Sequence, residues 1–143
     1  MDNLDPKDVL GSTGMLARQC KQIWDESKRI NIADDLKIFK NIIICGMGGS
    51  AYGGYVITCQ FKDEIEVPIY LNNDYHLPKF ADKNTLVLLS SYSGTTEEVL
   101  SCRDEAIQKG CKIVGITSGG ELGKFFKENN VPALIFNPEF NPS

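Results

Sequence analysis

From position 41 onward, apolar residues fall in short continuous runs, and the stretches between them carry helical spacing. Asn41-Ile42-Ile43-Ile44-Cys45 is a β-branched run that ends at a glycine. Such a run suits a strand covered on both faces, where neither face calls for polar residues. Four more strands are predicted over 66–71, 85–90, 112–117 and 133–136, with helices over 50–61, 95–109 and 122–130 between them. The N-terminal stretch has a different pattern. Residues 7–30 read as helix, with Leu16, Cys20, Ile23 and Trp24 recurring at three- and four-residue steps as one apolar stripe. Gly11 and Gly14 weaken its first half and predict two helical pieces. Residues 31–39 form a connector with one short helix.

Strands alternating with helices at this spacing give βαβ units and a parallel sheet, and right-handed crossovers put helices on both faces. The expected architecture is a doubly wound, five-stranded parallel α/β sheet over 40–143, with an N-terminal helical segment, 1–39, packing on it.

Composition narrows the function. With 143 residues, 42% hydrophobic and 24% charged, the chain suits one soluble domain. A formal net charge of -4 leaves no basic stripe, which counts against a nucleic-acid partner. A small anion remains open, because backbone N–H groups bind phosphate without Lys or Arg. The five cysteines (Cys20, Cys45, Cys59, Cys102 and Cys111) include no C-x-x-C pair and read as buried thiols of a reducing cytoplasm rather than a disulfide framework or metal site. The acidic start Met1-Asp2-Asn3-Leu4-Asp5 has no signal-peptide pattern, and no apolar run approaches the roughly 20 residues that span a bilayer.

Ligands of open parallel sheets bind beyond the carboxyl ends of the strands, so the loops there hold the candidate chemistry. The loop after the first strand, Gly46-Met47-Gly48-Gly49-Ser50-Ala51-Tyr52-Gly53-Gly54, has five glycines in nine residues and opens a helix. Glycine lets the backbone approach a ligand, and the free N–H groups of a helix start favour an anion. Ser50 adds a hydroxyl there, although a tight turn with Ser50 as its N-cap is the plainer alternative. The same loop matches the dinucleotide pattern G-x-G-x-x-A from Gly46 to Ala51, with Asp74 as a displaced ribose acid. The loop after the third strand, Ser90-Ser91-Tyr92-Ser93-Gly94-Thr95-Thr96, weighs against a dinucleotide. It clusters hydroxyls around one glycine, which suits a phosphate, whereas a helix cap needs only one. A third loop, Thr117-Ser118-Gly119-Gly120-Glu121, reads equally well as a rim of the same cleft or an ordinary strand–helix junction. The only histidine, His76, lies in the loop after the second strand and reads as an ordinary loop residue, and Glu97-Glu98 read as helix-dipole partners.

The three loops, in this order, resemble those of the SIS (sugar isomerase) domain, and most closely the N-terminal half of the bifunctional phosphoglucose/phosphomannose isomerases. The similarity covers nearly the whole chain, including the Trp24 helix and Asp74-Tyr75-His76-Leu77-Pro78. The resemblance implies a flavodoxin-like fold and phosphate binding by Ser91, Ser93 and Thr96. It puts Gly48, Gly49 and Ser50 against the sugar. It also implies aldose–ketose isomerisation of glucose 6-phosphate or mannose 6-phosphate to fructose 6-phosphate through an enediolate, with no metal or other cofactor. In that family a second SIS domain supplies a glutamate base, a ring-opening histidine and a lysine, and a Pro-Arg motif follows the fifth strand. None of these matches a residue here, so no catalytic residue is assigned, and the expected partner is a second SIS domain or a second copy of the chain. A stand-alone SIS module that senses a phosphosugar is the alternative.

Overall fold

The computed structural model describes residues 5–6 and 8–139. Strands β1 (Asn41–Cys45), β2 (Ile69–Asn72), β3 (Thr85–Ser91), β4 (Lys112–Thr117) and β5 (Ala133–Ile135) form one sheet in the order β2-β1-β3-β4-β5. Every neighbouring pair is parallel. Helices α1 (Val9–Gly14) and α2 (Leu16–Ser27) precede the sheet, followed by a 3-10 turn at Asp34–Lys37. Helices α3 (Gly49–Gln60), α4 (Glu97–Gln108) and α5 (Gly120–Glu128) connect the strands. The doubly wound parallel α/β fold read from the sequence is therefore present.

The two faces of the sheet differ. Side chains alternate along a strand, and in β3 Thr85, Val87, Leu89 and Ser91 are buried while Leu86, Leu88 and Ser90 are half-buried. The fully buried set joins Ile43 and Cys45 to Val99, Cys102 and Ala106 of α4 and to Leu122 and Phe126 of α5. Phe126 fits over Gly115, where a Cβ would stand 1.9 Å from the ring. The opposite face packs on α3, where Gly54 lies against Leu71 and Ile44.

Several element boundaries move by two or three residues from the predicted ones. β2 begins at Ile69 rather than 66, since Pro68 has no N–H to donate and only its carbonyl joins the ladder, accepting from Ile42 N at 2.9 Å. α4 begins at Glu97 because Thr95 and Thr96 belong to the preceding loop, and α5 starts earlier, at Gly120. The N-terminal segment breaks at Met15 into two pieces, as its glycine pair predicts. Asp5 starts the first piece, accepting from Val9 N at 2.7 Å and Leu10 N at 2.8 Å.

The apolar stripe of α2 is largely outward: Leu16 is 63% and Trp24 65% exposed. This helix meets the sheet's edge through Gln22 Nε2, which donates to the Asn137 carbonyl at 2.8 Å. Cys45 and Cys102 are buried, but Cys20 and Cys59 are exposed, so the expectation of buried thiols fails for those two. Cys20 lies on the outward stripe and Cys59 in the last turn of α3, beyond the reach of the core. Among the described residues no helix is long and apolar enough to cross a membrane.

Phe126→Ala is expected to lower unfolding stability by about 3–5 kcal/mol, read from urea titration. Gly115→Ala should also destabilise, since its methyl enters the ring's place. In the double variant the losses should fall short of their sum, because the methyl then occupies the space that Phe126 leaves.

Candidate functional site

With the strand order β2-β1-β3-β4-β5, the chain leaves β1 toward one side of the sheet and returns to β3 on the other. The crevice at that reversal, beyond the carboxyl ends of β1 and β3, is where such sheets bind ligands. Both glycine- and hydroxyl-rich loops flank it. Another cavity, lined by Thr58, Lys62, Glu66 and Pro68, lies toward the amino ends of the strands.

The loop after β1 rises from buried Gly46, whose backbone is pressed against the carbonyls of Ser50 and Ser90. Gly48 takes a left-handed φ of 51°, and a Cβ at Gly48 or Gly49 would meet nothing within 4 Å. Gly49 is the first residue of α3, and no side chain caps that helix. Within its first turn the Ser50 and Ala51 N–H groups donate to the Met47 and Gly48 carbonyls, at 3.0 and 3.1 Å, and Gly48 and Gly49 are exposed. Ser50 ties this loop to the next. Its Oγ accepts from Tyr92 N at 3.2 Å, and its carbonyl accepts from Ser90 Oγ at 2.8 Å. The N-cap role that the sequence left open for Ser50 is absent, since it is the second residue of α3.

In the loop after β3, Ser91 is buried, Thr96 half-buried, and Ser93 exposed. Ser91 Oγ stands 2.7 Å from Thr96 Oγ1 and accepts from Gly94 N at 3.0 Å. Ser93 Oγ accepts from Thr95 N at 3.2 Å and from Thr95 Oγ1 at 3.1 Å. Thr96 occupies the N-cap position of α4, yet its hydroxyl makes no cap bond. The structure thus joins Ser91 to Thr96, and Ser50 to the Tyr92 backbone.

The third loop is a brace. Leu122 N donates to the Gly94 carbonyl at 2.9 Å, and Ser118 N and Oγ both donate to the Tyr92 carbonyl, at 3.0 and 2.7 Å. Gly94 has a φ of 70°, and a Cβ on it would stand 1.9 Å from the Gly119 carbonyl oxygen. Sequence reasoning passed over Asn73, whose Nδ2 donates to the Gly46 carbonyl at 2.5 Å while its Oδ1 accepts from Tyr55 OH at 2.9 Å. An Asn-Asn-Asp turn gives no sign of that long-range contact.

Charge at the site is acidic. Glu97 and Glu98 stand in the first turn of α4, and Tyr75 OH reaches Glu97 Oε2 at 3.4 Å. Both carboxylates, Glu98 foremost, hold the Tyr75 phenol above its ordinary range. His76 lies against Glu105 (Nδ1 to Oε1, 2.6 Å), and Glu105 also accepts from Leu77 N at 2.9 Å. Glu105 is eight residues beyond Glu97, about 12 Å down the helix axis. His76 is thereby held away from the hydroxyl cluster. No cluster of metal ligands occurs among the described residues.

These loops on a flavodoxin-like sheet define a sugar-isomerase-type (SIS) domain. The chain belongs to the family that includes the bifunctional phosphoglucose/phosphomannose isomerases. It is 35% identical to the Caldicellulosiruptor bescii enzyme of that name over 127 residues, 89% of this chain and 38% of the relative. Identity is 39% over 118 residues to the Thermoplasma acidophilum enzyme and 43% over 113 to that of Aquifex aeolicus. The chain spans only 35–38% of the length of these relatives. No protein-family model matches. Among solved structures, a Thermus thermophilus protein superposes with a TM-score of 0.68 at 20% identity, covering 97% of this chain and 36% of that one. The Vibrio vulnificus NanR protein, solved with ManNAc-6P, superposes at 0.64 and 16% identity, covering 95% and 53%. At such identities these two show the shared fold.

Two outcomes follow. Gly94→Ala should destabilise by about 1–3 kcal/mol or more from backbone strain, and proteolysis should then cut within 91–96 before the sheet melts. The hydrogen bond and charge of Glu105 raise the His76 pKa, so their pairing adds stability at low pH that is lost as pH rises through the raised value. Glu105 itself is lowered, by the His76 hydrogen bond first, so its share is lost as pH falls through the lowered value. Glu105→Gln should move the His76 titration, followed by NMR, down toward the ordinary imidazole value of about 6.5.

Proposed function

We propose that this chain is the sugar-phosphate-holding domain of an aldose–ketose isomerase that interconverts glucose 6-phosphate or mannose 6-phosphate with fructose 6-phosphate. The observation that carries the reading is the start of α4. Thr96 turns its hydroxyl to Ser91 and no side chain caps α4, so the hydroxyls of Ser91, Ser93, Thr95 and Thr96 gather beside first-turn N–H groups that none of them takes up. A phosphate dianion uses such donors and needs no lysine or arginine. In this reading Ser93, Thr96 and the α4 amides hold the phosphate, with Ser91 fixing Thr96. The sugar then lies across Gly48, Gly49 and Ser50. The curated relatives, whose names state this pair of activities, point the same way.

Moving a proton between C1 and C2 through an enediolate requires a base near neutral pKa and a cation beside the developing oxyanion. His76 is engaged by Glu105, and Arg103 by Asp104 and Glu121, each at 2.8 Å. The reading therefore assigns proton transfer to groups beyond this chain, on a second SIS domain of the same or another polypeptide. The exposed surface favours such a partner. Leu16 and Trp24 of α2 and Tyr52 and Val56 of α3 are apolar side chains that lie exposed and that a partner would cover.

Calorimetry with fructose 6-phosphate tests the reading, and binding of NAD in its place would overturn it. Ser93→Ala and Thr96→Ala should each weaken fructose 6-phosphate binding by about 1–3 kcal/mol, as for a hydrogen bond to a charged group. If both bind unchanged, the loop serves only to shape the start of α4.

A further inference from the structure

One cavity near the site adds to Gly49 and Ser50 several residues that the phosphate reading leaves unused. It is an open cleft of about 530 Å³ between Met47, Gly49, Ser50, Ser90, Tyr92, Ile116 and Phe136. That volume falls within the range of small-molecule sites. Its lining has two characters. Ser50, Ser90 and the Gly49 backbone make a polar side, joined by the Ser90–Ser50 hydrogen bond at 2.8 Å. Met47, Ile116, Tyr92 and Phe136 make an apolar side, where the rings of Tyr92 and Phe136 stand edge to face with centroids 5.7 Å apart and planes at 66°.

The backbone fixes how this wall faces the hydroxyl loop. Side chains alternate along an extended chain, so buried Ser91 turns toward the α4 side while Ser90 and Tyr92 turn to the other. Tyr92 sits between two of the proposed phosphate residues, Ser91 and Ser93. Its position is doubly held, its N–H by Ser50 Oγ and its carbonyl by Ser118. Phe136 is fixed by its own N–H, which donates to the Thr117 carbonyl at 3.1 Å just past the end of β5. Two aromatic side chains half-open to solvent at the carboxyl end of a sheet contribute little to the core, which lies on the other face.

A sugar has both characters of this lining: hydroxyl edges that seek donors and acceptors, and a carbon–hydrogen face that packs on apolar surface. We infer that Tyr92 and Phe136 form the aromatic wall of a hexose subsite and select six-carbon phosphosugars over shorter ones. The inference rests on the phosphate assignment above, since it places the sugar beside Ser50 once the phosphate is at the start of α4. A three-carbon phosphate anchored there is too short to gain from the wall.

The test compares fructose 6-phosphate, glyceraldehyde 3-phosphate and inorganic phosphate by NMR titration of the chain and its Tyr92→Leu and Phe136→Leu variants. Leucine keeps apolar bulk in the cavity, and a far-UV and thermal-melting comparison confirms that each variant is folded. The expected result is a loss of about 3- to 10-fold in fructose 6-phosphate affinity in each variant, the span of an aromatic contact. Inorganic phosphate and the three-carbon phosphate should bind as before. Unchanged hexose phosphate binding, or an equal loss for all three ligands, would overturn the aromatic subsite while leaving the phosphate site standing. A wild-type chain that binds none of the three would overturn both.

Discussion

A Cβ on Gly94 would stand 1.9 Å from the Gly119 carbonyl oxygen, and one on Gly120 2.4 Å from that of Ser93. Here the loops after β3 and β4 meet backbone to backbone, closer than any side chain permits. That contact brings the Gly94 carbonyl to Leu122 N and the Tyr92 carbonyl to Ser118. A second close approach, Gly46 against the carbonyls of Ser50 and Ser90, adds the loop after β1. The three loops thus share one junction, in which the Ser50, Ser91 and Ser93 hydroxyls are placed by their neighbours' backbone and Thr96 by Ser91. Loops ordinarily vary and move more than the elements they join. At this junction, cross-loop hydrogen bonds restrain them as a ladder restrains strands.

The junction depends in turn on the sheet beneath it. Ser91 pairs in register with Thr117, the last residues of β3 and β4, and both are fully buried. Two hydroxyl side chains at the top of an apolar layer cost stability unless they are bonded. Both are: Ser91 with Thr96 and Gly94, and Thr117 with Gly119 through N–H at 3.2 Å and carbonyl at 3.0 Å. Core packing by Phe126 over Gly115 sets how closely α5 approaches β4, and so where its first residue, Gly120, meets Gly94. A path from core to site runs through named contacts.

The strands and helices could be read from the sequence because apolar run length and helical spacing are local properties. Ile42-Ile43-Ile44 and Lys112–Thr117 needed only their own composition, and the latter strand keeps its predicted ends. Boundaries moved where one residue's chemistry decided them, as at Pro68 and at Thr95-Thr96. The two site loops were visible as clusters of unusual composition. The division of labour within them was not, because it lies in cross-loop pairing. Nothing in Ser118-Gly119-Gly120 distinguishes a brace from a rim until Gly94 is beside it. The outward turn of Leu16 and Trp24 was likewise hidden, since periodicity reports that a helix has an apolar face and not what that face meets.

The acidic balance of the chain bears on how such a site holds an anion. Glu97 and Glu98 occupy the end of α4 where the dipole favours negative charge, which places them in competition with a phosphate for the same field. Tyr75 holds Glu97 to one side through its phenol. In the proposed reading, phosphate binding then draws on short, directed hydrogen bonds more than on long-range attraction. Directed bonds demand fixed donors. A phosphate site of this kind is only as good as the rigidity of its loops, and that rigidity comes from the glycine junction. A site built on lysines would tolerate looser loops, because a flexible ammonium finds its anion from many positions. In the proposed reading the glycines and the hydroxyls are two parts of one solution: close backbone contact fixes the donors, and fixed donors replace the missing positive charge.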